Sequence, residues 1–225
     1  MGLTPAEWAA VALSVRVGLA AVAITLPLGI AVGWLLARRT FPGKWLVEVI
    51  VNLTLVLPPV VTGYLLLRML GSQSWLGGWL EQTFGTRIAF TWWAAAIASA
   101  ALGFPLMVRA IRIAFQGVDP RLEQAARTLG AGPLDAFLTV SLPLARGGII
   151  AGAVLAFARS IGEFGATITF AGNIPGLTQT LPLAVFSEMN RAGGDGGFRL
   201  AVVAVLLAAA ALAASEWLER RGTRP

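Results

Sequence analysis

The chain of 225 residues contains no cysteine and no histidine. Those two absences exclude disulfides, thiol nucleophiles, imidazole acid–base catalysis and nearly every zinc or haem site. Charge is scarce as well, at 12% of residues, while 57% are hydrophobic. Such a balance belongs to a membrane protein. The phosphate-cradling pattern Gly-x-x-x-x-Gly-Lys-Ser/Thr is missing too, since Gly43-Lys44 is followed by Trp45 and lacks the earlier glycine. Residues 1–10 carry no positive charge, and no small-residue cleavage site closes the apolar run after them, so no removable signal peptide is expected.

What the chain does have is long apolar runs. Five of them, at about 17–37, 45–70, 89–108, 145–170 and 198–217, each supply the roughly twenty residues needed to cross about 30 Å of hydrocarbon. The expected fold class is an all-α polytopic membrane protein, with one membrane domain over residues 1–225. Internal repeats, solenoid-like or inverted, are not seen. Pro27 and Pro105 fall inside runs, as membrane helices tolerate. Pro58-Pro59 predicts a kink or break, either a plain bend or a moving hinge. Residues 71–87 read as a polar loop. Residues 179–189 read as a short helix on the outer surface or a re-entrant sixth element, too short to cross alone.

Five spans place the termini on opposite sides. With the N-terminus outside and the C-terminus cytoplasmic, the inner segments hold Arg38, Arg39, Lys44, Arg109, Arg112, Arg121, Arg127, Arg146, Arg220, Arg221 and Arg224. The outer segments hold only Arg87, Arg191 and Arg199, which is the bias expected of a protein oriented by its cytoplasmic cations. The net charge of +6 therefore marks topology and not nucleic-acid binding. Tryptophan agrees: Trp8, Trp75, Trp79, Trp92 and Trp93 fall at the outer interface, and Trp34, Trp45 and Trp217 at the inner one.

Between the third and fourth runs lies a mixed-charge island, residues 119–143. Asp119 is placed to cap a helix, Pro120 suits its first position, and Gly130 can adopt the left-handed conformation that ends it. Leu122, Ala125, Ala126 and Leu129 recur at helical spacing, a narrow and mostly small face opposite Arg121, Glu123, Gln124, Arg127 and Thr128. Gly132-Pro133 then opens a second short helix bearing Leu134, Phe137 and Leu138. Helices this short are marginal alone. Headgroup-lying helices carry excess Lys and Arg with aromatics. Here Asp119 and Glu123 balance Arg121 and Arg127, and the first helix has no aromatic, so docking to another protein is expected.

These residues carry a resemblance. Gln124-Ala125-Ala126-Arg127-Thr128-Leu129-Gly130, followed by Val140, Leu142 and Pro143, resembles the EAA loop of ABC importer permeases. Two positions depart from the family pattern: Gln124 stands where Glu is usual, with Glu123 one place earlier, and Val140 replaces Ile. The resemblance implies type I importer architecture, with Glu123 to Ala131 forming a coupling helix seated in a separate ATPase subunit. ATP and Mg would then be bound by that partner, itself a homodimer. This chain would be a transport subunit and not an enzyme, with no cofactor or metal of its own. Five spans are few for enclosing a broad pathway, so a homodimer with the path along its two-fold axis is expected.

Arg159 and Glu163 stand four apart, on one face of a helix. A charge at bilayer depth costs roughly 3 kcal/mol, so neither should face lipid. One reading is an ion pair that fixes packing. The other is that Arg159, with the hydroxyls of Ser160, Thr167 or Thr169, eases an oxyanion along the path. The stretch from Ser160 through Gly162-Glu163-Phe164-Gly165-Ala166-Thr167-Ile168-Thr169-Phe170 to Asn173-Ile174-Pro175-Gly176 resembles the molybdate permeases of ABC importers, and Phe104 to Ala110 is similar to the same family. Sulfate/thiosulfate permeases share part of the pattern and give the alternative cargo. An ATP-independent anion channel or carrier is the alternative of a different class. The resemblance implies an inner-membrane permease of a prokaryote that receives molybdate, and tungstate with it, from a periplasmic or extracytoplasmic molybdate-binding protein.

Overall fold

Helix formation starts at Thr4, whose hydroxyl accepts the Glu7 amide (3.3 Å) while the Glu7 carboxylate accepts the Thr4 amide (2.6 Å). This reciprocal cap, with Pro5 at the first helical position, launches helix α1 (Pro5–Arg38). The computed structural model describes residues 3–191 and 196–222, the side chains of 215 and 218–222 excepted. Arg224, counted above among the inner cations, lies outside the described residues, as do the side chains of Arg220 and Arg221. Every regular element among the described residues is a helix.

At 34 residues, α1 starts twelve residues before the predicted span and runs through Pro27 without a break. Its added turns keep Arg16, whose guanidinium lies 3.9 Å over the Trp92 ring. The second apolar run is α2 (Lys44–Val56) and α3 (Pro59–Leu70), which meet at 114°. The cause is local. Leu57 and Pro58 each precede a proline, which disfavours helical backbone, and both are extended, with ψ 137° and 134°.

The predicted polar loop 71–87 contains a helix, α4 (Trp75–Phe84), capped by the Ser74 hydroxyl on the Gly77 amide and stopped at Gly85 with φ +64°. The third run is α5 (Trp92–Gly117), which carries Arg109 and Arg112 on its continuous last turns. Next comes α6 (Pro120–Thr128), then α7 (Pro133–Ala136), a π-type turn (Phe137–Ser141) and α8 (Leu142–Leu144). The fourth run is broken into α9 (Arg146–Ile161) and α10 (Gly165–Phe170). α11 (Leu181–Met189) and α12 (Gly196–Gly222) complete the chain. α11 is packed against α1 and α12, with Leu181, Leu183 and Ala184 buried and the Leu181 amide donating to Ser14 Oγ at 2.7 Å.

The core lies among α1, α5 and α9. Small residues set the spacing. A Cβ on Gly33 would stand 2.7 Å from Ile111 Cγ2, so α1 and α5 are as close as a glycine allows. Likewise, a Cβ on Gly63 would meet the Ala166 carbonyl at 2.6 Å, so α3 lies directly against the backbone of α10. The resulting body has two ends. Arg38 donates to the Val118 carbonyl at one, beside α6. Thr4, α4 and the Phe90–Phe170 backbone bond are at the other.

Candidate functional site

Asp119 caps α6 by accepting the Arg121 amide at 2.9 Å, and Pro120 occupies the first turn. At the far end Gly130 has φ +99°, and the Ala131 amide reaches back to the Ala126 carbonyl at 3.1 Å, closing the helix in the way left-handed glycines allow. The expected start and stop of this helix are thus present.

No residue of α6 is buried. Leu129 is 89% exposed, and Leu122, Leu134 and Leu138 are exposed with it, so an apolar face looks outward from the molecule. Gln124, Ala125, Arg127 and Thr128 are exposed, while Ala126, Ala131 and Val140 are half-buried. Glu123 behaves differently from its neighbour. Its carboxylate turns back to accept the Ser141 hydroxyl and lies 3.8 Å from Arg38 Nη2. Position 123, and not 124, therefore holds the carboxylate that ties the helix to the body. Leu142 is half-buried and Pro143 exposed.

The second leg is fixed by packing. Phe137 meets Trp34 edge-on at 5.7 Å and Phe115 at 6.0 Å, joining it to both α1 and α5. The π-type turn that begins at Phe137 has a covalent reason: Pro143 has no amide to offer the Thr139 carbonyl and its ring crowds that group, so the preceding turn widens.

The structure brings Arg159 and Glu163 together, with Nη1 and Oε2 2.7 Å apart. They do not share a continuous helix, because α9 ends at Ile161. Glu163 stands in the break, 2% exposed, and its other oxygen accepts the Ala166 amide at 2.8 Å. One carboxylate thus neutralises Arg159 and satisfies the free amide end of α10, which favours an anion. Arg159 remains 31% exposed. Two of the three predicted hydroxyls are committed elsewhere. Ser160 donates to the Ala156 carbonyl and Thr169 to that of Gly165, both at 2.8 Å. Thr167 is wholly buried, its hydroxyl without a partner among the described residues.

Sequence reasoning missed several ion pairs, the Arg38–Glu123 contact among them. Glu48 on α2 meets Arg112 on α5 at 2.9 Å, and Glu7 on α1 meets Arg199 on α12 at 3.0 Å. The signal was available, since Glu48 is a carboxylate within an apolar run and needs a cation nearby.

Among the described residues, three helices are long and apolar enough to cross a membrane, or up to five if each bent pair is one span. Together with the projecting α6 hairpin they define a multi-pass helical membrane protein built to present a short helix outside its apolar body. The chain belongs to the family described as binding-protein-dependent transport system inner membrane component, which matches residues 26–224. The Molybdenum transport system permease protein ModB of Escherichia coli is 54% identical, with 98% of this chain and 96% of that protein covered. The Sulfate transport system permease protein CysW of Synechocystis is 35% identical, with 94% of this chain and 76% of that protein covered. Among solved structures, a bacterial alginate ABC transporter in complex with alginate pentasaccharide-bound periplasmic protein matches with TM-score 0.76 at 15% identity, over 98% of this chain and 81% of that one, a likeness of fold.

Proposed function

We propose that this chain is the membrane-spanning permease subunit of an ATP-driven importer of molybdate, and of tungstate with it. The observation that carries the cargo is the 54% identity to a molybdenum permease over nearly the whole of both chains, against 35% for the sulfate permease. The observation that supports an outside energy source is α6, held in place by Glu123 yet presenting an unpaired apolar face.

In this reading the permease is a homodimer in the inner membrane of a prokaryote, its N-terminus outside and α6 in the cytoplasm. α6 of each copy seats in an ATPase subunit that binds ATP and Mg. Closure of the ATPases draws the two α6 helices together and turns the spans outward to receive oxyanion from a periplasmic binding protein, and hydrolysis returns them inward. The Arg159–Glu163 pair at the break between α9 and α10 holds that junction, and the third of Arg159 left open gives a passing dianion a weak and transient partner.

The test is reconstitution of the permease with its ATPase and binding protein in proteoliposomes. Molybdate-loaded binding protein should stimulate hydrolysis and uptake more than a sulfate-loaded one. Stimulation by the sulfate-loaded protein alone would reassign the cargo, and uptake without any ATPase would establish a channel or carrier instead.

A further inference from the structure

A cavity of about 230 Å³ opens among α1, α2 and α5, walled by Leu36, Val51, Asn52, Val108, Arg109 and Arg112. It lies toward the end of the body that carries α6, since α5 runs on from Arg112 to within two residues of α6. Its volume equals roughly seven or eight waters of liquid, enough for one tetrahedral oxyanion and a few waters.

The polar groups in this cavity are unevenly committed. Arg112 is already neutralised by Glu48 at 2.9 Å. Arg109, three residues earlier and on the same face of α5, is exposed and has no ion pair or hydrogen bond among the described residues. Asn52, one turn beyond Glu48 on α2, is flanked by apolar residues; its amide nitrogen donates to the Glu48 carbonyl at 2.7 Å and still has a second hydrogen to give. An amide in an apolar helix and an unpaired guanidinium facing one small cavity are what a transient anion site requires.

We propose that Arg109, with Asn52 and Arg112, forms a release subsite for a tetrahedral oxyanion dianion at the α6 end of the permease, with Glu48 as its built-in competitor. The inference deepens the importer reading and rests on it. Arg109 supplies the open charge, Asn52 an N–H donor, and Arg112 a second guanidinium shared between Glu48 and the ion. Because Glu48 is never absent, the dianion is held weakly and leaves, as a conducting site demands. The site also gives the sign of each substitution: removing Arg109 weakens it, and removing the Glu48 charge strengthens it.

The absence of cysteine makes the test clean. Val51→Cys places the permease's single thiol in the cavity wall, and its alkylation by a charged reagent is followed on the permease band of the reconstituted complex, with tungstate as the ligand. Tungstate should slow labelling. Adding Arg109→Gln should raise the half-protecting concentration roughly tenfold, Arg109→Lys should restore part of it, and Glu48→Gln should lower it below that of Val51→Cys alone. A conformational effect of tungstate on the ATPase would act equally in all four backgrounds. Equal protection in all of them, or none in vesicles that take up oxyanion, overturns the subsite alone. Vesicles that take up no tetrahedral oxyanion overturn the importer reading first and the subsite with it. Tungsten anomalous scattering from the unsubstituted complex gives a second measurement: a peak beside Arg109 supports the site, and peaks only elsewhere refute it.

Discussion

Glu123 and Ser141 are eighteen residues apart in sequence, and a hydrogen bond between their side chains joins the start of the projecting helix to the end of the hairpin. Neighbouring Gln124 points to solvent. If the hairpin transmits force, it does so through position 123. Glu123→Ala should therefore lower transport-coupled hydrolysis severalfold while costing only about 1 kcal/mol of stability, since the pair is partly exposed. Gln124→Ala should leave both near their starting values. Coupled ATPase assays alongside thermal melts check the contrast.

Ala126 is half-buried at the edge of the exposed α6 face, where a large ring would stand between the helix and any surface it meets. Ala126→Trp should abolish co-purification with the ATPase, or its coupled hydrolysis, while the permease still inserts in the membrane. Coupled transport at the original rate would refute docking through this face.

Arg159→Ala leaves the buried Glu163 carboxylate without its cation, which should destabilise the permease by about 3 kcal/mol, the low end for a broken buried pair because Arg159 is partly open. Glu163 also accepts the Ala166 amide, so the informative rescue is Arg159→Ala with Glu163→Gln, which keeps an acceptor and removes the charge. If the double variant recovers both stability and transport, the pair is structural. Recovered stability with transport still lost assigns Arg159 to the path.

Gly63 lies against the Ala166 backbone with no room for a side chain. Gly63→Val should push α3 off α10 and cost about 2 kcal/mol or more, as overpacking does. Gly43→Ala, at a site with open space around it and φ +84°, should cost about 1 kcal/mol through backbone strain alone. Melting of the two variants in the same detergent tests the ordering.

The apolar runs were legible because hydrocarbon imposes length and composition on any segment that crosses it. The bounds of α6 were legible for a different reason: Asp119, Pro120 and Gly130 each act through their own backbone chemistry. Less visible was α4, whose Ser74 cap and Gly85 stop enclose only ten residues within a stretch that reads as loop. The early start of α1 was announced by Thr4, Pro5 and Glu7, but the charge of Arg16 hid it until the Trp92 ring supplied a partner. The break after Ile161 could not be read from spacing, because Arg159 and Glu163 stand at the helical interval whether or not the helix continues. Nor does sequence say which way a short amphipathic helix turns, and the inward turn of Glu123 depends on Ser141 and Arg38 arriving from distant segments.

The elbow at Leu57 and Pro58 has a further consequence for how the molecule is made. Helix ends release carbonyls that hydrocarbon cannot satisfy, and Val56, beside this corner, is 83% exposed. A freshly inserted single copy should carry that corner bare until a covering surface arrives. Expression without assembly partners should leave a chain that proteases remove, with the first cuts clustering near residue 57.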